Sequence, residues 1–274
     1  DKRVTITQEA WVILNGKAQG TFYDLDNTKI HSVTLNDGDC VVIYNGGHSL
    51  EILEDDTILY EFKNGPYFGP EKEVTMSKSD FKVVEEFENK IASFYGAPYA
   101  VAVDCCTHAI ELCLRQQKIQ YYTIPKRTYL SVPFLATKLD ITFSWRDEDW
   151  TDFYFLGGTG IIDAAVLWKK DSYIPNTFMC ISFQYKKHLS LGRGGIILTN
   201  RKKDAIILKK MSYDGRLPNI PWREQDIDTV GYHYYMTPEI AALGLKKLET
   251  AINTTPKKWT VTDWPDLTKM EIFK

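Results

Sequence analysis

No apolar run in this chain approaches the ~20 residues that a membrane-spanning helix needs. The N-terminus is polar and charged, so neither a membrane anchor nor a signal peptide is expected. Cysteine is scarce and poorly spaced for covalent work: there are five, an odd number, Cys105 and Cys106 are neighbours, and no CxxC pair occurs. That pattern excludes a disulfide framework and a zinc knuckle, and no metal site is expected. A reducing cytoplasm is the expected compartment. An excess of positive charge is also missing. The net charge of −3 gives no overall attraction to nucleic acid or to an anionic membrane, so neither is an expected partner. A phosphate-bearing ligand would need a local site. What is present is an ordinary globular composition, 44% apolar and 25% charged. The 274 residues suffice for one large domain or two smaller ones.

The texture changes along the chain. Over residues 1–67 short β-rich runs such as "EAWVILNG", "CVVIYNGG" and "TILYEFKNG" are punctuated by Asn, Asp and Gly. This spacing predicts an antiparallel hairpin stack in a small barrel or sandwich. Residues 68–79 read as a linker, rich in charge with Pro and Gly. From residue 80 to 250 strands and helices alternate. Phe81, Val84, Phe87, Ile91 and Phe94 recur at helical spacing, with Ser79 placed to cap the start and Gly96 the end. Buried strands such as "YAVAVD", "YYTIP", "GIID" and "FMCIS" are separated by helical stretches, which predicts a mostly parallel, helix-covered α/β sheet. The helix "TPEIAALGLKKLETAI" takes Thr237 as cap and Pro238 in its first turn. Residues 251–274, with two tryptophans and two prolines and no period, read as a C-terminal arm.

Ligands of open α/β sheets bind at the carboxyl ends of strands, and polar residues gather at such ends here. Cys105-Cys106-Thr107 follows "YAVAV" and opens a helix, whose free amides suit a phosphate. Asp163 ends "GIID", Ser182 ends "FMCIS", and Lys187 follows in the loop leading to Gly192-Arg193-Gly194-Gly195. Taken singly, each has a plain structural explanation: a helix cap, a turn carboxylate, a solvated lysine, a hairpin. Together they make a phosphate cradle, a carboxylate and an amine, the parts that hold pyridoxal 5'-phosphate. The amine forms a Schiff base and the carboxylate keeps the pyridine nitrogen protonated.

Four stretches, "FENKIASFYGAPYAVAVDCCTHAIELCL", "IIDAAV", "SFQYKKHLSLGRGGIILTN" and "GYHYYMTPEIAALGLKKLE", resemble the DegT/DnrJ/EryC1/StrS sugar aminotransferases in the same order and at similar intervals, over about residues 80–250. The resemblance implies a fold-type I PLP enzyme, normally a homodimer. Its reaction passes an amino group from an amino acid, usually glutamate, to a keto group of a nucleotide-linked sugar. It makes Lys187 the Schiff-base lysine and Lys186 its neighbour, Asp163 the partner of the pyridine nitrogen, and Ser182, Cys106 and Thr107 the phosphate contacts. Tyr129 is implied as the aromatic stacked on the pyridine ring.

The family pattern is broken at several places. Val166 stands where a Gln or His usually reaches the cofactor's phenolic oxygen. His233 and Tyr235 stand where an Asn and an Arg are usual. His233 is then the residue expected near the partner subunit's cofactor phosphate. Little sequence remains for the family's small C-terminal domain. Two other readings stay open: a PLP-dependent sugar dehydratase, whose relatives usually carry histidine in place of Lys187, and a catalytically weak sugar-nucleotide-binding or assembly protein.

The N-terminal segment, over about residues 10–67, resembles a cupin barrel near its second motif, where "GDCVVIYNGGH" supplies glycines, a turn and His48. A metal-binding cupin would also need a His-x-His pair upstream, but His31 stands alone. His48 is therefore expected to be a turn or core residue.

Overall fold

A computed structural model describes residues 9–24, 28–44, 47–63 and 81–274. The chain divides into two compact units, Asp1–Asp80 and Phe81–Lys274. The expected linker 68–79, with Ser79, lies outside the described residues.

Among its described residues the first unit contains six strands: β1 (Glu9–Asn15), β2 (Ala18–Tyr23), β3 (Lys29–Leu35), β4 (Cys40–Ile43), β5 (Gly47–Ile52) and β6 (Ile58–Lys63). They pair antiparallel into two three-stranded sheets, β4-β1-β6 and β3-β2-β5. The period-2 pattern of β1 explains this, because Trp11 and Ile13 turn inward to meet Ala18, Leu35 and Ile43. His48 packs edge-on against Trp11, and its Nε2 lies 3.2 Å from the buried carboxylate of Glu9. It is a half-buried strand residue, neither in a turn nor in the core.

The second unit is a layered α/β structure. Its main sheet runs in the order β10 (Tyr154–Phe155), β11 (Ile161–Asp163), β12 (Phe178–Ser182), β13 (Gly195–Thr199) and β7 (Tyr99–Val103). A separate parallel pair joins β8 (Tyr121–Pro125) to β9 (Thr142–Arg146). The expectation of a mostly parallel sheet needs correction: within the main sheet only β11 and β12 pair parallel, and the sheet is mixed. The reason is the connection between the strands. The chain passes from β12 to β13 through a loop with no crossover helix, so β13 must return antiparallel, and it pairs antiparallel with β7 as well. As a consequence β7, β11 and β12 all point the same way, and their carboxyl ends share one edge of the sheet.

Both faces of the sheet are covered, which is why the strands are nearly continuously apolar. Along β12, Met179 and Ile181 face one core and Phe178 and Cys180 the other. On the first face lie α1 (Lys82–Tyr95) and α5 (Pro238–Ile252), through residues such as Phe87, Ile91 and Leu248. On the second lie α2 (Cys106–Gln116), α3 (Ser131–Leu139) and α4 (Lys202–Ser212), through residues such as Ile110, Leu135 and Leu208. Gly96 ends α1 at φ 74°, the left-handed cap that glycine allows. Thr237 and Pro238 open α5 as expected. No helix among the described residues is long and apolar enough to cross a membrane.

Candidate active site

The shared strand edge opens into a cavity of about 160 Å³. Cys106, Thr107, Tyr129, Asp163, Ser182 and Lys187 all line it. Six of the seven residues singled out in the sequence thus converge, although they span some 80 positions of chain. The seventh, His233, does not line the cavity. It is exposed at φ 55°, with Nδ1 3.0 Å from the Asp214 carboxylate.

Asp163 closes β11 and is 6% exposed. Its Oδ2 accepts the Tyr154 hydroxyl at 2.6 Å and its Oδ1 accepts the Ala165 amide at 3.0 Å. Burial pushes its carboxyl above the usual range, against those two donors and the nearby Lys187 charge. Burial pushes the Tyr154 phenol well above its ordinary value, and the Asp163 charge adds to the effect, so Tyr154 stays protonated and donates. Thr128 in turn donates to the Tyr154 oxygen.

Lys187 sits in the loop between β12 and β13, its amide donating to the Gln184 carbonyl at 2.8 Å. Burial pushes its ammonium below the usual lysine range, while the charge of Asp163 resists. Its Nζ lies 5.3 Å from the Trp259 ring and 5.6 Å from the Trp264 ring. Lys186, by contrast, is exposed beside the Tyr185 ring. His188 is drawn away, with Nε2 2.8 Å from the Ala251 carbonyl.

The α2 N-terminus forms another wall. Cys105 is its cap, its sulfur accepting the His108 amide at 3.5 Å. The first amides of a helix have no intrahelical partner, so those of Cys106 and Thr107 suit an anion. The Thr107 hydroxyl meets that of Ser131 at 2.7 Å, pairing two donors on the cavity wall. The Cys106 thiol is held in the core, and burial pushes it far up. Only its backbone amide can serve the cavity as a strong donor. Ser182 is nearly buried, and its hydroxyl accepts the Gln184 amide at 3.3 Å. The loop glycines have a specific role beneath this cradle. A Cβ on Gly195 would lie 2.5 Å from the Cys105 carbonyl carbon and from the Cys106 nitrogen, so only glycine lets β13 pass under the helix start.

A second polar group supports the cradle from behind. His108 hydrogen-bonds Asp104 at 2.6 Å and stacks on Tyr234 with centroids 3.7 Å apart. Burial alone would lower its pKa, but the Asp104 and Cys105 interactions prevail and raise it to about 9. Arg193 reaches the same Asp104 at 2.7 Å.

Several cavity residues were not found from sequence: Thr128, Ser131, Trp150, Tyr154, Gln184 and Trp264. Tyr154 faces Asp163 only because β10 and β11 pair in that register. Trp264 arrives from the C-terminal arm, about 100 residues from Asp163. No local signal marks either.

Comparison with known proteins places this geometry. The family model of the DegT/DnrJ/EryC1/StrS aminotransferase family matches residues 74–142 and 175–263, more than half of the chain. No curated protein matches the chain. Among solved structures, AtS13 from Actinomadura melliaura aligns at TM-score 0.54 and 19% identity, covering 64% of this chain and 61% of its own. A putative PLP-dependent aminotransferase from Bacillus cereus ATCC 10987 aligns at TM-score 0.53 and 17% identity, covering 62% and 59%. DesI, solved in the presence of its TDP-sugar product, aligns at TM-score 0.51 and 17% identity, covering 63% and 54%. At such identities the likeness shows a shared fold, and the chain spans 54–61% of the length of these three structures. On the family match over residues 74–142 and 175–263, this chain belongs to the DegT/DnrJ/EryC1/StrS aminotransferase family.

Proposed function

We propose that the chain is a PLP-dependent aminotransferase that passes an amino group from an amino acid, with glutamate the expected donor, to a keto group of a nucleotide-linked sugar. Pyridoxal phosphate is the cofactor that the family membership implies. The observation that carries the reading is that the Lys187 amine, the buried Asp163 carboxylate and the start of α2 line one cavity. The residues present fit the cofactor: an amine with a lowered pKa, a buried carboxylate held by two donors, and an anion cradle. The TDP-sugar product named for DesI supports the nucleotide-sugar class.

Bound in the cavity, the cofactor supplies an electron sink for the amino group's carbon. Lys187 provides the amine that carries it and, once released, the base that moves a proton at the substrate carbon. Its depressed pKa raises the neutral fraction available for both tasks. Asp163 would hold the proton on the ring nitrogen, with Tyr154 and the Ala165 amide fixing the carboxylate's orientation. The α2 amides, Thr107 and Ser182 would bind the phosphate, and Tyr129, half-exposed, would cover the pyridine ring. Val166 lines the cavity but offers no hydrogen bond to the phenolic oxygen. His233 would act only across a homodimer, on the partner subunit's phosphate. A cytoplasmic location and a cupin-like role for the first unit belong to the same proposal.

A weakly catalytic sugar-nucleotide-binding or assembly protein is the second reading. The apolar Val166 within the cavity favours it. Absorbance separates the two. Purified protein given pyridoxal phosphate is expected to develop a visible band, and borohydride is expected to fix the cofactor on Lys187, not Lys186, by peptide mass. Glutamate is expected to discharge the band. A band that no amino acid discharges would leave the binding reading standing, and no band at all would sink both roles of Lys187.

A further inference from the structure

One wall of the cavity is made by the C-terminal arm, and the backbone fixes it there. The Asp152 amide donates to the Trp259 carbonyl at 3.0 Å, the Val261 amide to the Trp150 carbonyl at 3.1 Å, and the Leu267 amide to the Lys126 carbonyl at 2.9 Å. Arg127 Nη1 donates to the Trp264 carbonyl at 2.8 Å. Leu267 is fully buried just beyond. Trp264 is therefore a built part of the site and not a stray aromatic. Its ring stacks on Trp259 with centroids 5.8 Å apart, stands edge-on to Tyr129 at 6.0 Å, and lies 5.6 Å from the Lys187 amine. Its ring lines the cavity, while its indole N–H is buried with no acceptor among the described residues. Such a donor costs free energy until an acceptor reaches it.

We propose that Trp264 is a specificity-determining residue, the platform on which the sugar ring of the amino acceptor lies. The inference rests on the aminotransferase reading and names the part of the substrate that this wall reads. The carbon that receives nitrogen must come within proton-transfer reach of Lys187. The ring carrying that carbon is then what meets aromatic groups within 6 Å of Nζ, while the nucleobase lies two phosphates further away. A pyranose has an apolar C–H face and a hydroxyl edge. An indole ring in the cavity wall presents a π-face that matches the C–H face. The amino-acid donor fits this wall less well, because the negative face of an aromatic ring disfavours carboxylates.

The test uses the full chain loaded with pyridoxal phosphate, as wild type, Trp264→Phe and Trp264→Ala. Calorimetry gives the affinity for TDP-glucose and UDP-glucose and for the bare diphosphates; absorbance titration gives that for pyridoxal phosphate. The wild type is expected to prefer a sugar nucleotide over its diphosphate. Trp264→Ala is expected to lose about three- to tenfold of that preference, and Trp264→Phe, which keeps a ring but no N–H, to fall between. Diphosphate and cofactor affinities are expected to stay within about twofold. The proposal is overturned if both variants keep the full preference, if cofactor affinity falls as far as sugar affinity, or if the wild type prefers neither sugar nucleotide. In the last case cofactor uptake and discharge by glutamate would still stand, so the two readings fail separately.

Discussion

The Tyr154 hydroxyl donates to Oδ2 of Asp163 across 2.6 Å, from a residue directly opposite it in the β10–β11 pairing. The bond links a strand with no recognisable motif to the carboxylate on which the chemistry is proposed to rest. Removing it isolates that support. In Tyr154→Phe the buried carboxylate keeps one donor, the Ala165 amide, and its charged form loses stabilisation. A hydrogen bond to a charged group contributes about 1.5–3 kcal/mol, so pyridoxal phosphate is expected to bind at least about tenfold more weakly. Absorbance titration measures this. An unchanged affinity, in a variant that melts like the wild type, would show that Tyr154 is only packing.

Much of this site was legible before any coordinates, for a physical reason. Asp163, Ser182 and Thr107 sit at transitions from buried strand to loop or helix, and such transitions show in sequence as a change of polarity. The alternation of strand and helix gave the right layers. It did not give strand direction, because the direction of β13 depends on a loop that forms no crossover helix. The Tyr154–Asp163 pairing and the arrival of Trp264 were likewise invisible, since register and long-range docking leave no local pattern. The family resemblance carried the assignment of Lys187 over Lys186. The structure gives the difference a physical form, one amine in the cavity wall and the other exposed.

His108 offers a pH test that needs no ligand. Its pKa is raised to about 9, mainly by Asp104 and Cys105 acting against burial. An unfolded histidine titrates near ~6.5. The folded form holds its proton more tightly, so the stabilisation is complete below about pH 6.5 and is lost as pH rises through about 9. The full contribution is on the order of 3 kcal/mol. Urea unfolding of the wild type and His108→Gln is expected to differ most at pH 6 and to converge near pH 10. A gap that stays constant with pH would mean that the stacking on Tyr234, not the charge, is what matters.

Gly195 tests the cradle through the backbone. A methyl group there would sit 2.5 Å from the Cys105 carbonyl carbon and the Cys106 nitrogen, which cannot move without displacing the start of α2. Overpacking of this kind costs about 1–3 kcal/mol. Gly195→Ala is expected to lower the urea midpoint and to weaken pyridoxal phosphate binding together. Gly192, at φ 83° with no atom within 4 Å of an added Cβ, provides the control. Gly192→Ala is expected to cost backbone strain alone, about 1–2 kcal/mol, with cofactor affinity kept. Equal loss of affinity in the two variants would contradict the close approach as the cause.

Lys187 itself should be a burden to the protein without its cofactor. Burial pushes its pKa down, which means that the folded state disfavours the charged amine relative to the unfolded chain. The penalty applies in full below the folded pKa. It fades as pH climbs toward the unfolded lysine value near ~10.4. The two tryptophan rings near Nζ and the charge of Asp163 offset part of it without reversing the direction. Lys187→Met keeps the length and removes the charge. Replacing buried charge with a packed apolar group is commonly neutral or stabilising, here by about 1 kcal/mol. Thermal melts of cofactor-free protein are expected to place Lys187→Met above the wild type at pH 7, with the gap closing by about pH 10.5. The same variant should give no borohydride-fixed adduct. A wild type more stable than Lys187→Met at neutral pH would show that the amine is held for structure, and would remove the main physical reason to regard it as the reacting group.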